Sequence, residues 1–142
     1  MVFGLFEGNK LEITLDKPAY KFGEEVTGKV LLDLKKPKKA KKMRIQLYLE
    51  YETMRPVMRT VGNPPRQEQV QETNTERTAQ QELVLDGEKE YGAGHFEYPF
   101  KFTCQNVDLA GGFIRNNGWF LDASLDVQMS VDVNKRIRLN IA

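Results

Sequence analysis

The sequence predicts an all-β chain folded as an antiparallel β-sandwich, and three observations carry the prediction. Apolar and polar residues alternate with a period of two along most of the chain. Clusters of Gly, Pro, Asn and Asp cut these runs into segments of strand length. A capping-box signal, Thr73-x-x-Glu76, opens a stretch whose apolar face would consist only of Ala79 and Leu83. Seven or more short strands separated by turns fit two packed antiparallel sheets. At 142 residues the chain has the length of one domain, taken as 1–142, and folding would bury about two-thirds of its surface.

The elements follow in order. Leu11, Ile13 and Leu15 alternate with Glu12, Thr14 and Asp16, as in a half-buried strand. Lys17-Pro18-Ala19-Tyr20-Lys21-Phe22-Gly23 supplies a turn, with Pro18 fixing φ and Gly23 permitting positive φ. Val26, Gly28, Val30, Leu32 and Leu34 share one strand face. Met43, Ile45, Leu47, Leu49 and Tyr51 share another, facing away from Arg44, Gln46, Tyr48 and Glu50. Val61-Gly62-Asn63-Pro64-Pro65 marks a hairpin tip, and Gln67 to Gln81 is almost wholly polar. We read Arg55 to Glu82 as strands projecting beyond the body of the sandwich, with a short helix as the alternative. Phe96, Tyr98, Phe100 and Phe102 form an aromatic stripe, and Pro99 within it calls for an edge strand or a bulge. Gly111-Gly112 lacks the spacing of a phosphate loop and reads as a flexible turn. Trp119, Leu121, Ala123, Leu125 and Val127 alternate cleanly, and Ile137, Leu139 and Ile141 close the chain.

Composition narrows the function classes. Apolar residues make up 40% and charged residues 29%, too mixed for a disordered tail. No apolar run approaches the ~18–20 residues that cross a bilayer. Met1 to Lys10 lacks the basic patch and apolar core of a secretory leader, so a cytoplasmic location is expected. A single cysteine and a single histidine leave no internal disulfide and no cysteine zinc site; no metal or cofactor is expected.

The net charge of +1 hides an asymmetry: residues 1–71 carry +5 and residues 72–142 carry −4. Most of the positive excess lies in Lys35, Lys36, Lys38, Lys39, Lys41, Lys42 and Arg44. One reading of this tract is a contact surface for acidic lipid or phosphorylated protein, which would allow peripheral membrane contact. The other is a solvated connection between strands whose lysines discourage edge-to-edge association. Nucleic acid is disfavoured as a partner, because no aromatic residue interleaves the lysines and the domain is near neutral overall.

Residues with reactive chemistry are few. His95 could serve as a general base, but no nucleophile stands beside it in a recognisable motif, and a satisfied structural role is expected. Cys104 ends the aromatic strand with nothing nearby in sequence to lower its pKa, so a buried, inert thiol is expected. Asp122-x-Ser124-x-Asp126 resembles the start of a calcium loop, yet Val127 and Val133 stand where Gly and Glu are needed. These polar side chains fit the solvent face of a strand better. Trp119 suits a core plug better than a ligand platform. No pair of carboxylates stands in a catalytic context, so no enzyme is expected.

Three segments together resemble the arrestin amino-terminal domain, the fold of arrestins, of retromer subunits of the Vps26 type and of sporulation-control proteins of the Spo0M type. The first, residues 15–30, holds Tyr20, Gly23-Glu24 and the Gly28-Lys29-Val30 strand. The second is Gly94-His95-Phe96-Glu97-Tyr98-Pro99-Phe100-Lys101-Phe102. The third runs from Trp119 to Val127 and continues at Val131-Asp132-Val133-Asn134-Lys135. The resemblance implies an immunoglobulin-like antiparallel β-sandwich of the arrestin N-domain type, in a single lobe. Tyr20, Gly23, Gly28, Pro99, Phe100, Phe102 and Trp119 would be its structural motif residues, with Tyr20 and Phe22 plugging one end.

Such scaffolds act as adaptors in trafficking, signalling and stress or sporulation-type regulation. A non-catalytic adaptor that binds protein partners is therefore the leading expectation, with anionic-surface binding second and an enzyme or small-ligand carrier third. Arrestins have two lobes and this chain has length for one, so sites between lobes do not carry over. It reads either as a single-lobe protein or as one lobe of a longer one. A lone lobe would leave an apolar face or an open edge strand, and homodimerisation is one way to cover it.

Overall fold

The alternation in the sequence resolves into two antiparallel sheets around one core. The computed structural model describes residues 8–109 and 113–142, and among these there is no helix; the Gly111-Gly112 turn lies outside the described residues. The strands are β1 (Lys10–Leu15), β2 (Glu25–Leu34), β3 (Lys38–Val61), β4 (Arg66–Asp86), β5 (Lys89–Tyr91), β6 (Gly94–Thr103), β7 (Phe113–Val127) and β8 (Val133–Leu139). One sheet runs β1-β2-β6; the other runs β4-β3-β7-β8, with β5 paired to the start of β3. Two antiparallel sheets, the all-β architecture expected from the sequence, are thus the observed fold.

Every second residue of β2, from Val26 through Gly28, Val30 and Leu32 to Leu34, is buried. Met43, Ile45, Leu47 and Leu49 on β3 and Leu121, Ala123 and Leu125 on β7 enter the same apolar cluster from the facing sheet. Burying each large aliphatic side chain contributes about 1.5–3 kcal/mol relative to leaving it in water. Trp119, Phe100 and Phe102 are buried as expected of core aromatics. Pro99 lies on β6, an edge strand of the three-stranded sheet, where a missing N–H does not interrupt an inner ladder.

Two glycines have local reasons. A Cβ on Gly28 would stand 2.1 Å from the Thr14 carbonyl oxygen and 3.0 Å from Cζ of Phe100, so only glycine lets β1 and the Phe100 ring close over β2. Gly23 adopts φ 88° in the turn after Tyr20 and donates its N–H to the Cys104 carbonyl at 2.8 Å.

Tyr20 joins the two sheets at one end. Its hydroxyl donates to the Thr27 carbonyl at 2.9 Å and accepts from the Lys17 N–H at 3.1 Å. Its backbone pairs with the end of the chain, donating to the Asn140 carbonyl at 3.0 Å and accepting from the Ala142 N–H at 3.1 Å. Phe22 packs edge-on against Trp119, with ring centroids 6.2 Å apart. At this end Tyr20 is buried and Phe22 half-buried.

Of Arg55 to Glu82, only residues 55–72 project; residues 73–82 pair with 46–54 within the five-stranded sheet. β3 and β4 pair from Met43↔Asp86 to Val61↔Arg66 around the Gly62-Asn63-Pro64-Pro65 tip. β7 accompanies β3 only as far as Met54↔Phe113. Beyond that, residues 55–61 and 66–72 pair, among the described residues, with each other alone. The Thr73-x-x-Glu76 segment stays extended because its residues pair in sequence with Tyr51 to Met54. The strands are not all short, as the sequence had implied: β3 has 24 residues and β4 has 21. The alternation of a core strand continues without a break into a polar ribbon, so no boundary separates the two.

Gly28→Ala is expected to destabilise the fold by roughly 3 kcal/mol, since the added methyl meets backbone oxygen rather than a movable side chain. Urea denaturation would read this as a lower midpoint at unchanged slope.

Candidate functional site

The residues with potential reactivity are all engaged. His95 is cross-strand partner to Asp33, and its Nδ1 lies 2.7 Å from the Asp33 carboxylate. Its Nε2 lies 3.2 Å from Glu97, two residues along the same exposed face. These two carboxylates raise its pKa by favouring the imidazolium, and Glu97 in turn faces Lys29 at 3.5 Å. The histidine is thus satisfied, as part of an exposed ion cluster. Cys104 is fully buried, and desolvation pushes its thiol up to about 11, which keeps it protonated and inert. Among the described residues, no group of three or more His, Cys, Asp and Glu side chains could hold a metal ion.

The basic tract is split by secondary structure. Lys35 and Lys36 lie in the short connection after β2, and Lys38 to Arg44 form the start of β3. The solvated-connection reading is therefore corrected for all but the first part of the tract. Ala40 and Met43 enter the core on either side of Lys41-Lys42, where β3 shifts register against β7. That bulge breaks the period-two signal. Lys42 pairs with Glu82 at 3.1 Å, and Arg44 lies 3.1 Å from Asp126 and 3.6 Å from Glu82. Lys35, Lys36, Lys39 and Lys41 are exposed, and Lys38 is half-buried.

A second cluster, not anticipated from sequence, covers the outer face of the five-stranded sheet. Tyr48 on β3 and Phe120 on β7 are cross-strand partners whose rings stack with centroids 6.1 Å apart. The Arg77 guanidinium of β4 lies 4.2 Å over the Tyr48 ring, and that of Arg136 on β8 lies 3.8 Å over Phe120. Glu50 joins the two arginines, accepting from Arg136 at 2.7 Å and Arg77 at 3.0 Å. Tyr48 is thereby fully buried on a face that otherwise meets water. Its hydroxyl reaches Asp122 at 3.4 Å, while Ser124 donates to Asp126 at 2.8 Å. The Asp122-Ser124-Asp126 side chains do face outward, but into this layer, and Ser124 is buried within it. Tyr48 amid Arg44, Gln46 and Glu50 was the available signal; the rest depends on cross-strand register.

Two concavities accompany these features. A groove of about 300 Å³ crosses the outer face beside Arg44, Arg77, Asp122 and Arg136. Arg44, Arg77 and Arg136 each already have a carboxylate partner. A larger cleft of about 670 Å³ opens at the sandwich end between Phe22, Trp119, Val107, Leu109, Arg138 and Ile141. Its polar lining includes Asn106, Asn117 and Asn140. Arg138 is held by the Asn117 carbonyl at 3.1 Å. Amides and one committed guanidinium supply orientation, not acid–base chemistry.

Two antiparallel sheets joined at one end by Tyr20, with charged side chains on their outer faces, define a class of β-sandwich domain. Residues 11–106 match the family described as arrestin (or S-antigen), N-terminal domain, and the chain belongs to that family. The matched span contains every motif residue except Trp119, which lies on β7. The fold is similar to that of Spo0M, a sporulation control protein from Bacillus subtilis, with TM-score 0.60 and 20% identity over 94% of this chain and 49% of that one. At that identity the likeness is one of fold, and this chain spans about half the length of the Spo0M chain. Comparison with curated proteins finds no match.

Burial pushes the Glu50 carboxyl up, but the bonds from Arg136 and Arg77 outweigh it and hold the pKa below 4.5. The stabilisation this gives is present above the ordinary carboxylate range and lost as pH falls through the lowered value. Glu50→Gln should cost roughly 1–2 kcal/mol at neutral pH. Thermal unfolding of the two forms should converge as pH falls through the lowered Glu50 value.

Proposed function

We propose that the chain is a non-catalytic scaffold that binds protein partners through its strand edges and rim, in trafficking, signalling or stress and sporulation-type regulation. Membership of the arrestin N-terminal family carries this reading. The engagement of His95 by two carboxylates and the burial of Cys104 support it by leaving the surface, not a reactive group, as the place of action. We place this work in the cytoplasm; no helix among the described residues is long and apolar enough to cross a membrane.

A second reading is contact with an anionic surface, acidic lipid or phosphorylated protein, through the basic tract. The observation that favours it is specific: Lys36, Lys39 and Lys41 are exposed and have no ion pair among the described residues. Lys42 and Arg44 contribute less, because carboxylates already face them.

Binding measurements separate the two. In the scaffold reading, a protein partner captured by the full chain keeps its affinity when Lys36, Lys39 and Lys41 are replaced by Ser, and loses it on substitution along a strand edge. If no edge or rim substitution altered binding, that reading would fail. In the second reading, sedimentation with phosphatidylserine vesicles falls several-fold between low and physiological salt, where charges are screened within ~8 Å. The triple lysine variant would abolish it.

A further inference from the structure

We propose that the cleft at the sandwich end binds the free carboxy-terminus of a partner polypeptide whose last residue is apolar. This rests on the scaffold reading above and names the chemistry that one part of the rim would recognise.

The cleft measures about 670 Å³, within the size range of ligand pockets. Phe22, Leu49, Leu109, Trp119 and Ile141 give it an apolar wall, and each of them is buried or half-buried. Arg138 on β8 supplies the charge. Its guanidinium lies over Gly118, where a Cβ would stand 3.0 Å from both Cζ and one Nη. No positive φ calls for glycine at 118; the missing side chain seats this arginine. One N–H of the guanidinium goes to the Asn117 carbonyl at 3.1 Å, which orients the group without neutralising it. Arg44, Arg77 and Arg136 on the adjoining face each hold a carboxylate. Arg138 has no ion pair among the described residues. A guanidinium held in this way keeps donors for both oxygens of an incoming carboxylate.

The polar part of the lining selects a peptide over other apolar acids. Asn106, Asn117 and Asn140 are exposed, and among the described residues none has a side-chain hydrogen bond. A side-chain amide offers donor and acceptor together, which a peptide group matches and an alkyl chain leaves unpaired. Asn106, Val107 and Leu109 belong to a segment outside any strand. Residues 105–109 make no backbone hydrogen bond to another described residue, so their N–H and C=O groups are open to a ligand's backbone. A carboxylate at Arg138, an apolar side chain against Trp119 and peptide groups along 105–109 together describe the end of a chain.

Acetylated tetrapeptides ending in Leu, Ile, Met or Phe, each as free acid and as amide, test this on the full chain. Trp119 is the single tryptophan, so its fluorescence reports filling of the cleft. The tightest acid should shift the emission and bind roughly tenfold or more tightly than its amide. Arg138→Gln should remove that difference, and Arg138→Lys should restore only part of it, since a point charge replaces a fork. Gly118→Ala should weaken binding several-fold by unseating the guanidinium while leaving its charge in place. Arg59→Gln, at an exposed arginine of the projecting hairpin, should change nothing.

Failure of all four acids would overturn the proposal, as would acids and amides that bind alike or a preference that survives Arg138→Gln. Decanoate binding where the peptides do not would also overturn it, by making the cleft a fatty-acid site. So would emission that shifts with protein concentration alone, which places a second copy in the cleft. None of these outcomes touches a partner held along a strand edge, so the scaffold reading falls only on its own edge and rim substitutions.

Discussion

Tyr20 ties together two sheets that share no strand. Its hydroxyl is bonded to the turn and to β2, while its backbone pairs with the last residues of the chain, which continue from β8 in the other sheet. Removing its bonds would leave buried polar groups without partners, at about 1–3 kcal/mol each. Closure at this end also seats Phe22 against Trp119. Gly28 complements it from within, because the close approach of Thr14 and Phe100 to β2 depends on the missing side chain. The apolar contacts between the sheets supply most of the driving force, and these two positions set the distance at which they operate.

From Met43 onward, past its bulge, β3 carries one alternation through two environments. Its first half is an inner strand between β4 and β7, with Met43, Ile45, Leu47 and Leu49 in the core. Its second half leaves the sandwich and, among the described residues, retains β4 alone as a neighbour. There the odd face is held by charge pairs such as Arg55 with Glu72 at 3.5 Å, around a Val57↔Val70 contact. Exposed pairs of this kind contribute little each. Stability therefore falls along the hairpin from base to tip, and the part that projects is the part best able to reorganise around a partner.

The inner faces were legible in the sequence because burial on one side of a strand writes itself as period two. Val26 to Leu34 and Trp119 to Val127 could be assigned to the core from spacing alone. The projecting hairpin was legible from its turn cluster and its polarity. The basic tract was not: Lys41-Lys42 sit in a bulge, which hides the fact that Ala40 and Met43 belong to one core-facing series. Nor was the Tyr48-Phe120-Arg77-Arg136 layer, since its members come from four strands. Only the registers Tyr48↔Phe120, Glu50↔Arg77 and Asp122↔Arg136 bring them together. Local pattern reveals which way a side chain points; it does not reveal what stands beside it on the next strand.

The electrostatics of the outer face decide where recognition can occur. Arg44, Arg77 and Arg136 all lie on that face, yet each faces a carboxylate within 3.1 Å. An anionic ligand there would have to displace Asp126 or Glu50 and give back the bonds they make. The guanidiniums also cover Tyr48 and Phe120, so a ligand that drew them away would expose aromatic surface at further cost. This face is better described as a lid over the sheet than as a binding site. Among the described residues, the exposed lysines at the start of β3 and the outer strand edges of both sheets lie outside this layer. Lysines recognise charge without shape, whereas a strand edge recognises an extended chain in a defined register. Of the two, only the edge can distinguish one protein from another.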